Sequence, residues 1–277
     1  MTPRALVALC CALLLLMTAC TGDDGDTGEA GSDAAPTASP DSTAPPKPPR
    51  RPRVGDCHDL SWEEALSPVT PTETRVACKR RHTGVTFRVG RVPRNRAGKQ
   101  LPVDSVRVQR QVARACPDAL PGFLGASQDE VRRSVLRAVW FTPSLAEAQS
   151  GAKWFRCDVV ATGRVSRLAQ LPARMRGALA DDALRERFAL CATGEPGASF
   201  TRVPCSVAHT WRAVTTVDVE GDAYPGRRAV EDAMASACGD AATEAASNPL
   251  DVRWSQEAPT RRQWRAGQRF GYCWVPA

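Results

Sequence analysis

The sequence predicts an α+β fold made of two tandem, disulfide-stapled repeats, each a small antiparallel sheet with a helix packed on it. Three observations carry that reading. A four-cysteine pattern occurs twice, as Cys57, Cys78, Cys116 and Cys157 and again as Cys191, Cys205, Cys238 and Cys273. The second cysteine of each set opens one signature, CxxxHT, in Cys78-Lys-Arg-Arg-His82-Thr83 and in Cys205-Ser-Val-Ala-His209-Thr210. Each signature is followed by an alternating β-branched stretch and then by a segment ending in Ala-Cys; in the second copy apolar residues recur there at helical spacing.

Residues 1–20 read as an export signal. A basic start, Met1-Thr-Pro-Arg4, precedes an apolar stretch too short to span a bilayer comfortably and a small-residue cleavage region. The ending Met17-Thr18-Ala19-Cys20 resembles a bacterial lipoprotein signal, in which the cysteine is acylated, palmitate being one expected acyl group, and becomes the new first residue. An ordinary secretory signal is the alternative. The expected location is the extracytoplasmic face of the cell membrane, held by a lipid anchor on Cys20.

Residues 21–53 lack aromatic residues and are dominated by Gly, Ser, Asp, Ala, Thr and Pro. Such a segment cannot bury enough apolar surface to offset chain entropy, so a disordered tether is expected. The remaining chain divides into a first repeat over 54–165, a connector over 166–187 and a second repeat over 188–277. Ala, Leu and charge in the connector favour a helix.

Of eleven cysteines, Cys10 and Cys11 leave with the signal, Cys20 takes lipid, and eight remain. An even number in an exported chain reads as disulfides. The repeat makes two bridges per copy the simplest pairing: Cys57 with Cys78, Cys116 with Cys157, Cys191 with Cys205, and Cys238 with Cys273.

Within each copy the expected order is strand, strand, helix, strand, turn or short helix, strand. Thr83–Val92 and Thr210–Val219 alternate as strands. Val230, Met234 and Cys238 recur at helical spacing, which puts the third cysteine on a buried helix face. Near the ends, Trp140 is matched to Trp254 with two extra residues before the following Pro. From there Pro143, Gly151 and Cys157 keep the same spacing as Pro259, Gly267 and Cys273. A pseudo-twofold body is one way for the copies to pack.

From residue 54 onward, thirty-two Lys and Arg face twenty-four Asp and Glu. In an exported protein that excess points to an envelope protein or to anionic wall or lipid ligands, and away from nucleic acid. His82, Thr83, His209 and Thr210 occupy the repeated signature and read as turn residues. The other reading of CxxxH is a metal or thiol-redox site, since imidazole and thiolate are good ligands. Bridged cysteines and the lack of CxxC weigh against it, and no cofactor is implied. There is no GxSxG, SxxK, HExxH or P-loop, so no catalytic residue is nominated. Trp62, Trp211, Trp264 and Trp274 have no aromatic partner in the other copy and are the candidates for a surface binding site.

Val54-Gly-Asp56-Cys57, the two CxxxHT elements, the Ala-Cys helices and the late Trp, Pro and Cys resemble the septum-formation domain of actinobacterial envelope proteins. The second copy departs at Phe188-Ala-Leu-Cys191 and has no residue matching His58. The resemblance implies an extracytoplasmic, non-enzymatic domain associated with cell division. It supplies no catalytic residues to carry over.

Overall fold

A computed structural model of the protein describes residues 49–69, 74–196, 200–248 and 250–277. The signal, Cys20 and the tether up to residue 48 lie outside the described residues. The chain divides into two units, and the described fold lies in the second, Pro46–Ala277.

The first half runs β1 (Cys57–His58), α1 (Trp62–Leu66), β2 (Arg75–Val76), β3 (Gly84–Arg91), α2 (Val106–Leu124), α3 (Gln128–Arg132), β4 (Leu136–Phe141), α4 (Leu145–Gln149), β5 (Trp154–Thr162) and β6 (Leu168–Ala169). The second runs α5 (Asp182–Phe188), β7 (Leu190–Thr193), β8 (Thr201–Pro204), β9 (Trp211–Asp218), α6 (Arg227–Ala245), β10 (Ser255–Glu257), α7 (Arg261–Arg265) and β11 (Phe270–Pro276). The first sheet has the order β2-β1-β3-β5-β4, with β6 paired to β5; the second has β8-β7-β9-β11-β10. The named strands pair antiparallel, and the two orders are the same path through equivalent strands.

The α+β reading with two tandem sheets is what the structure contains, with one strand more per copy before the long helix. Two-residue β2 and four-residue β8 are too short to show alternation in sequence. Each sheet packs a 19-residue helix, α2 or α6, against one face. Val108, Val112, Cys116 and Leu120 line the inner face of α2, and Val230, Met234, Cys238 and Ala242 that of α6. Bridges join Cys57 to Cys78, Cys116 to Cys157, Cys191 to Cys205 and Cys238 to Cys273. The second and fourth of them pin each long helix to the strand under it, β5 or β11.

Short helices fill the turn after Pro143 and after Pro259. Each opens with a capping box, Ser144 with Glu147 and Thr260 with Gln263, in which side chain and backbone satisfy each other's unpaired groups. Each is followed by a glycine, Gly151 or Gly267, at φ +98° or +100°, backbone that side chains rarely adopt.

The 166–187 segment is helical only at its end, where α5 begins. Leu168 and Ala169 form β6, and Leu171, Met175, Ala178 and Leu179 are buried in the main core. Pro172 and the left-handed Gly177 (φ +73°) interrupt any longer helix. The segment is therefore a packed strap instead of a helical rod.

The sheets use their faces differently. Ala192, Ala213, Tyr272 and Trp274, on the face of the second sheet away from α6, join the core built on α2 and the first sheet. On the α6 side, Val230, Met234, Cys238, Trp264 and Cys273 form a smaller core. A direct tie between the halves runs from Asp129 in α3 to Thr216 in β9, through backbone and hydroxyl bonds of 2.9 and 2.8 Å.

Candidate functional site

The two CxxxHT elements form the same turn. His82 places Nδ1 2.8 Å from the Arg80 carbonyl and His209 places Nδ1 2.7 Å from that of Val207, in each case two residues back. Thr83 donates to the Leu60 carbonyl and accepts from its N–H, at 2.8 and 2.7 Å. Thr210 donates to the Gly194 carbonyl at 3.2 Å. Each His-Thr pair thus ties a turn to neighbouring backbone. Cys191, Cys205 and His209 lie close together, but both sulfurs are spent in the Cys191–Cys205 bridge. That leaves one imidazole as a ligand, fewer than a metal site needs.

A second arrangement was not visible from motif reading. His58, Thr86, Arg156 and Asp158 are buried together on the face of the first sheet away from α2. The Thr86 hydroxyl donates to Asp158 Oδ1 at 2.7 Å and meets His58 Nε2 at 3.0 Å. Arg156 Nε lies 3.1 Å from Asp158 Oδ2, and its guanidinium stacks on the Phe141 ring at 4.5 Å. Burial, with the charges of Arg156 and His82, pulls the His58 pKa down from 6.5 to about 3. Burial pushes the Asp158 carboxyl up, to about 6, against the pull of Arg156 and the Thr86 bond. The cluster holds an acid, a base and a hydroxyl in contact. Thr86 and Asp158 are both 0% exposed, so no substrate reaches them as the protein stands.

The position after the first cysteine is His58 in one copy and Ala192 in the other, matching the difference read from sequence. Cross-strand register extends the comparison. Counting from Thr83 and Thr210, Thr86 becomes Ala213; counting from Cys157 and Cys273, Arg156 and Asp158 become Tyr272 and Trp274. Only the first copy carries the polar set.

Two concave surfaces lie beside equivalent edge strands. A cleft of about 650 Å3 runs along β4 and is lined by Trp62, Leu66, Arg110, Val139, Trp140 and Leu168. A second, of about 850 Å3, runs along β10 and is lined by Phe200, Tyr224, Arg227, Glu257, Arg261 and Trp274. Glu257 of the second cleft pairs at 2.8 Å with Arg202, which lies over Tyr272 at 4.3 Å.

The four candidate tryptophans separate. Trp62 borders the first cleft and Trp211 is half-buried at the start of β9. Trp264 and Trp274 are only 2% and 0% exposed, which removes them as freely exposed surface sites. The Trp264 ring packs on Tyr224 and under Arg269, and Trp274 stacks edge-on with Phe200 at the closed floor of the second cleft. Trp264 fills space under α6, and Trp274 belongs to the core shared with the first sheet. The match of Trp140 to Trp254 is also corrected: Trp140 sits opposite Cys157, and Gln256, not Trp254, sits opposite Cys273. No extra residues separate these from the following prolines. Trp254 instead lies against Gly239 of α6.

No helix among the described residues is long and apolar enough to cross a membrane. Comparison with curated proteins and with solved structures finds no significant match. A family model described as septum formation matches residues 54–273, which takes in all four bridges and both sheets up to Cys273 of β11. The chain belongs to the septum-formation family.

Proposed function

We propose that the protein is a lipid-anchored, extracytoplasmic binding or scaffold protein of the cell envelope that acts in septum formation, with acylated Cys20 as its membrane attachment. The observation that carries the reading is the family match over the folded body. The septum-formation family is not a known enzyme family, and the sealed position of His58, Thr86 and Asp158 supports action by binding instead of turnover. The cleft along β10 is the partner site in this reading. Tyr224 and Phe200 offer apolar faces there, and Arg227, Arg261 and Arg262 offer planar donors for an anionic envelope partner.

Depletion of the protein in its host is the test. The expected outcome is misplaced or delayed septa, restored by the wild-type chain and not by Cys20→Ser or by Tyr224→Ala with Arg261→Ala. Normal septa on depletion would refute the septal role. Restoration by Cys20→Ser would remove the anchor from the account, and restoration by the cleft variant would remove the β10 site.

A further inference from the structure

We infer that the surface formed by the end of α1, the start of α2 and the start of α4 docks directly on an anionic lipid bilayer. It goes beyond the septal reading and requires neither that role nor acylation of Cys20.

Four of the eight large apolar side chains exposed among the described residues lie in this one region: Leu66 (67%), Val69 (43%), Val106 (64%) and Leu145 (57%). They converge on Thr142. Its N–H donates to the Pro68 carbonyl, Val69 bridges it, Gln109 of α2 donates to its hydroxyl, and Leu145 follows three residues later. The four side chains thus come from separate helix ends and a loop, and they project as tips.

Arg107, Arg110 and Arg114 line the adjoining exposed face of α2. At about 100° per residue they fall within one narrow stripe, opposite Val108, Val112 and Cys116. All three are exposed, and none of them makes an ion pair among the described residues. Of the carboxylates near this surface, Glu64 and Glu147 are engaged in the capping boxes of α1 and α4, while exposed Asp118 borders the far end of the arginine stripe. The cleft along β4 opens between Leu66 and Arg110 and continues the apolar surface inward to Val139 and Leu168.

Unpaired guanidinium groups call for phosphate, and exposed aliphatic tips call for an apolar phase. A wall polymer supplies the first and lacks the second. The interface of an anionic bilayer supplies both, with headgroup phosphates beside the acyl boundary. Charge complementarity and the exposed aliphatic residues therefore agree on one occupant.

The test uses the polypeptide Thr21–Ala277, which keeps the whole folded body and carries no acyl chain, in flotation with vesicles. Binding is expected to phosphatidylglycerol vesicles and not to phosphatidylcholine vesicles, weakening as salt rises. Replacing Arg107, Arg110 and Arg114 by Gln is expected to lower affinity on the order of 100-fold, about fivefold per arginine. Lys at the same three positions is expected to retain binding. Leu66→Ser with Leu145→Ser is expected to lower it about tenfold. Removing the same charge elsewhere, as Arg228→Gln, Arg253→Gln and Arg265→Gln, should leave binding intact. Unchanged thermal midpoints would show that all variants are folded. The inference is overturned if no vesicles are bound, if both lipids bind equally, or if the two arginine triples behave alike. It is also overturned if the leucine variants bind like wild type, since that would assign the surface to a soluble polyanion.

Discussion

Asp158 and Trp274 occupy the same position, each directly after the last half-cystine of its sheet, yet one is a buried carboxylate and the other a buried indole. Both point away from the long helix packed on their own sheet. In the second copy that face joins the shared core, so Ala192, Ala213, Tyr272 and Trp274 supply apolar surface. In the first copy the Phe141 ring lies against Arg156 and the Thr74 hydroxyl meets His58, and the buried space is filled by a polar set. Removing one member leaves the others uncompensated. Asp158→Ala is expected to cost about 3–5 kcal/mol by stranding Arg156, measured by denaturant unfolding, and Trp274→Ala about 3–5 kcal/mol through a cavity.

The same cluster sets a pH dependence. His58 titrates near 3 when folded and near 6.5 ordinarily, so its contribution is full above pH 6.5 and lost as pH falls toward 3. Asp158 is raised from 3.8 to about 6, so its contribution is full below pH 3.8 and lost as pH rises past 6. Between about pH 4 and 6 the two slopes oppose, and the wild type should be nearly flat. Asp158→Asn should expose the His58 slope, gaining about 1.4 kcal/mol per pH unit as pH rises. His58→Gln should show the reverse sign. Denaturation midpoints across that range check this, and identical profiles for the three proteins would refute it.

The bridges differ in what they constrain. Cys116–Cys157 closes a separation of 41 residues and Cys191–Cys205 one of 14. On chain entropy alone, the first should contribute about 4 kcal/mol and the second about 3. Cys116 and Cys157 are also both fully buried. Double Ser replacement of the first pair should therefore lower stability more than replacement of the second, as read by urea unfolding. Equal losses would mean that loop length is not the controlling factor.

What the sequence made legible was periodic or repeated. The cysteine pairing and the Pro-to-Gly-to-Cys spacing followed from comparing the copies, and the α6 face of Val230, Met234 and Cys238 from helical spacing within one of them. A further signal in the sequence is that Ser61, Ser127, Ser144 and Thr260 each precede Glu or Gln by three residues, the spacing that opens four of the five short helices. The polar cluster was hidden for a physical reason. Its members come from β1, β3 and β5, with His58 and Arg156 98 positions apart, and only sheet register brings them together. The buried tryptophans misled because comparing copies finds asymmetry but carries no information on which face becomes an interface.

Asp129 supplies a test of how the halves hold together. Its Oδ1 accepts from the backbone and hydroxyl of Thr216, and its Oδ2 from Arg133 at 2.7 Å. These bonds, with that of Arg133, hold its carboxyl below the usual pKa range despite burial. Asp129→Ala should leave the Thr216 N–H unpaired in a half-buried site, at about 1–3 kcal/mol. Amide exchange at Thr216 should accelerate while the amides of β3 and β5 change less. Uniform acceleration across both sheets would indicate that the halves unfold as one unit.

Gly271 lies where α6 packs closely on its sheet. A Cβ there would lie 2.8 Å from the Glu257 carbonyl oxygen of the neighbouring strand β10, and would collide with the thioether end of Met234. Met234 is flexible and can retreat; the Glu257 backbone is held in the ladder opposite Tyr272 and cannot. Gly271→Ala should therefore cost about 1–3 kcal/mol through overpacking, and the same change made on a Met234→Ala background, measured against Met234→Ala alone, should recover only part of it. The comparison separates two causes that a single variant confounds. Full recovery on shortening Met234 would place the strain in the side chain, whereas partial recovery, read from thermal midpoints of the single and double variants, would locate it in the close approach of β10 and β11.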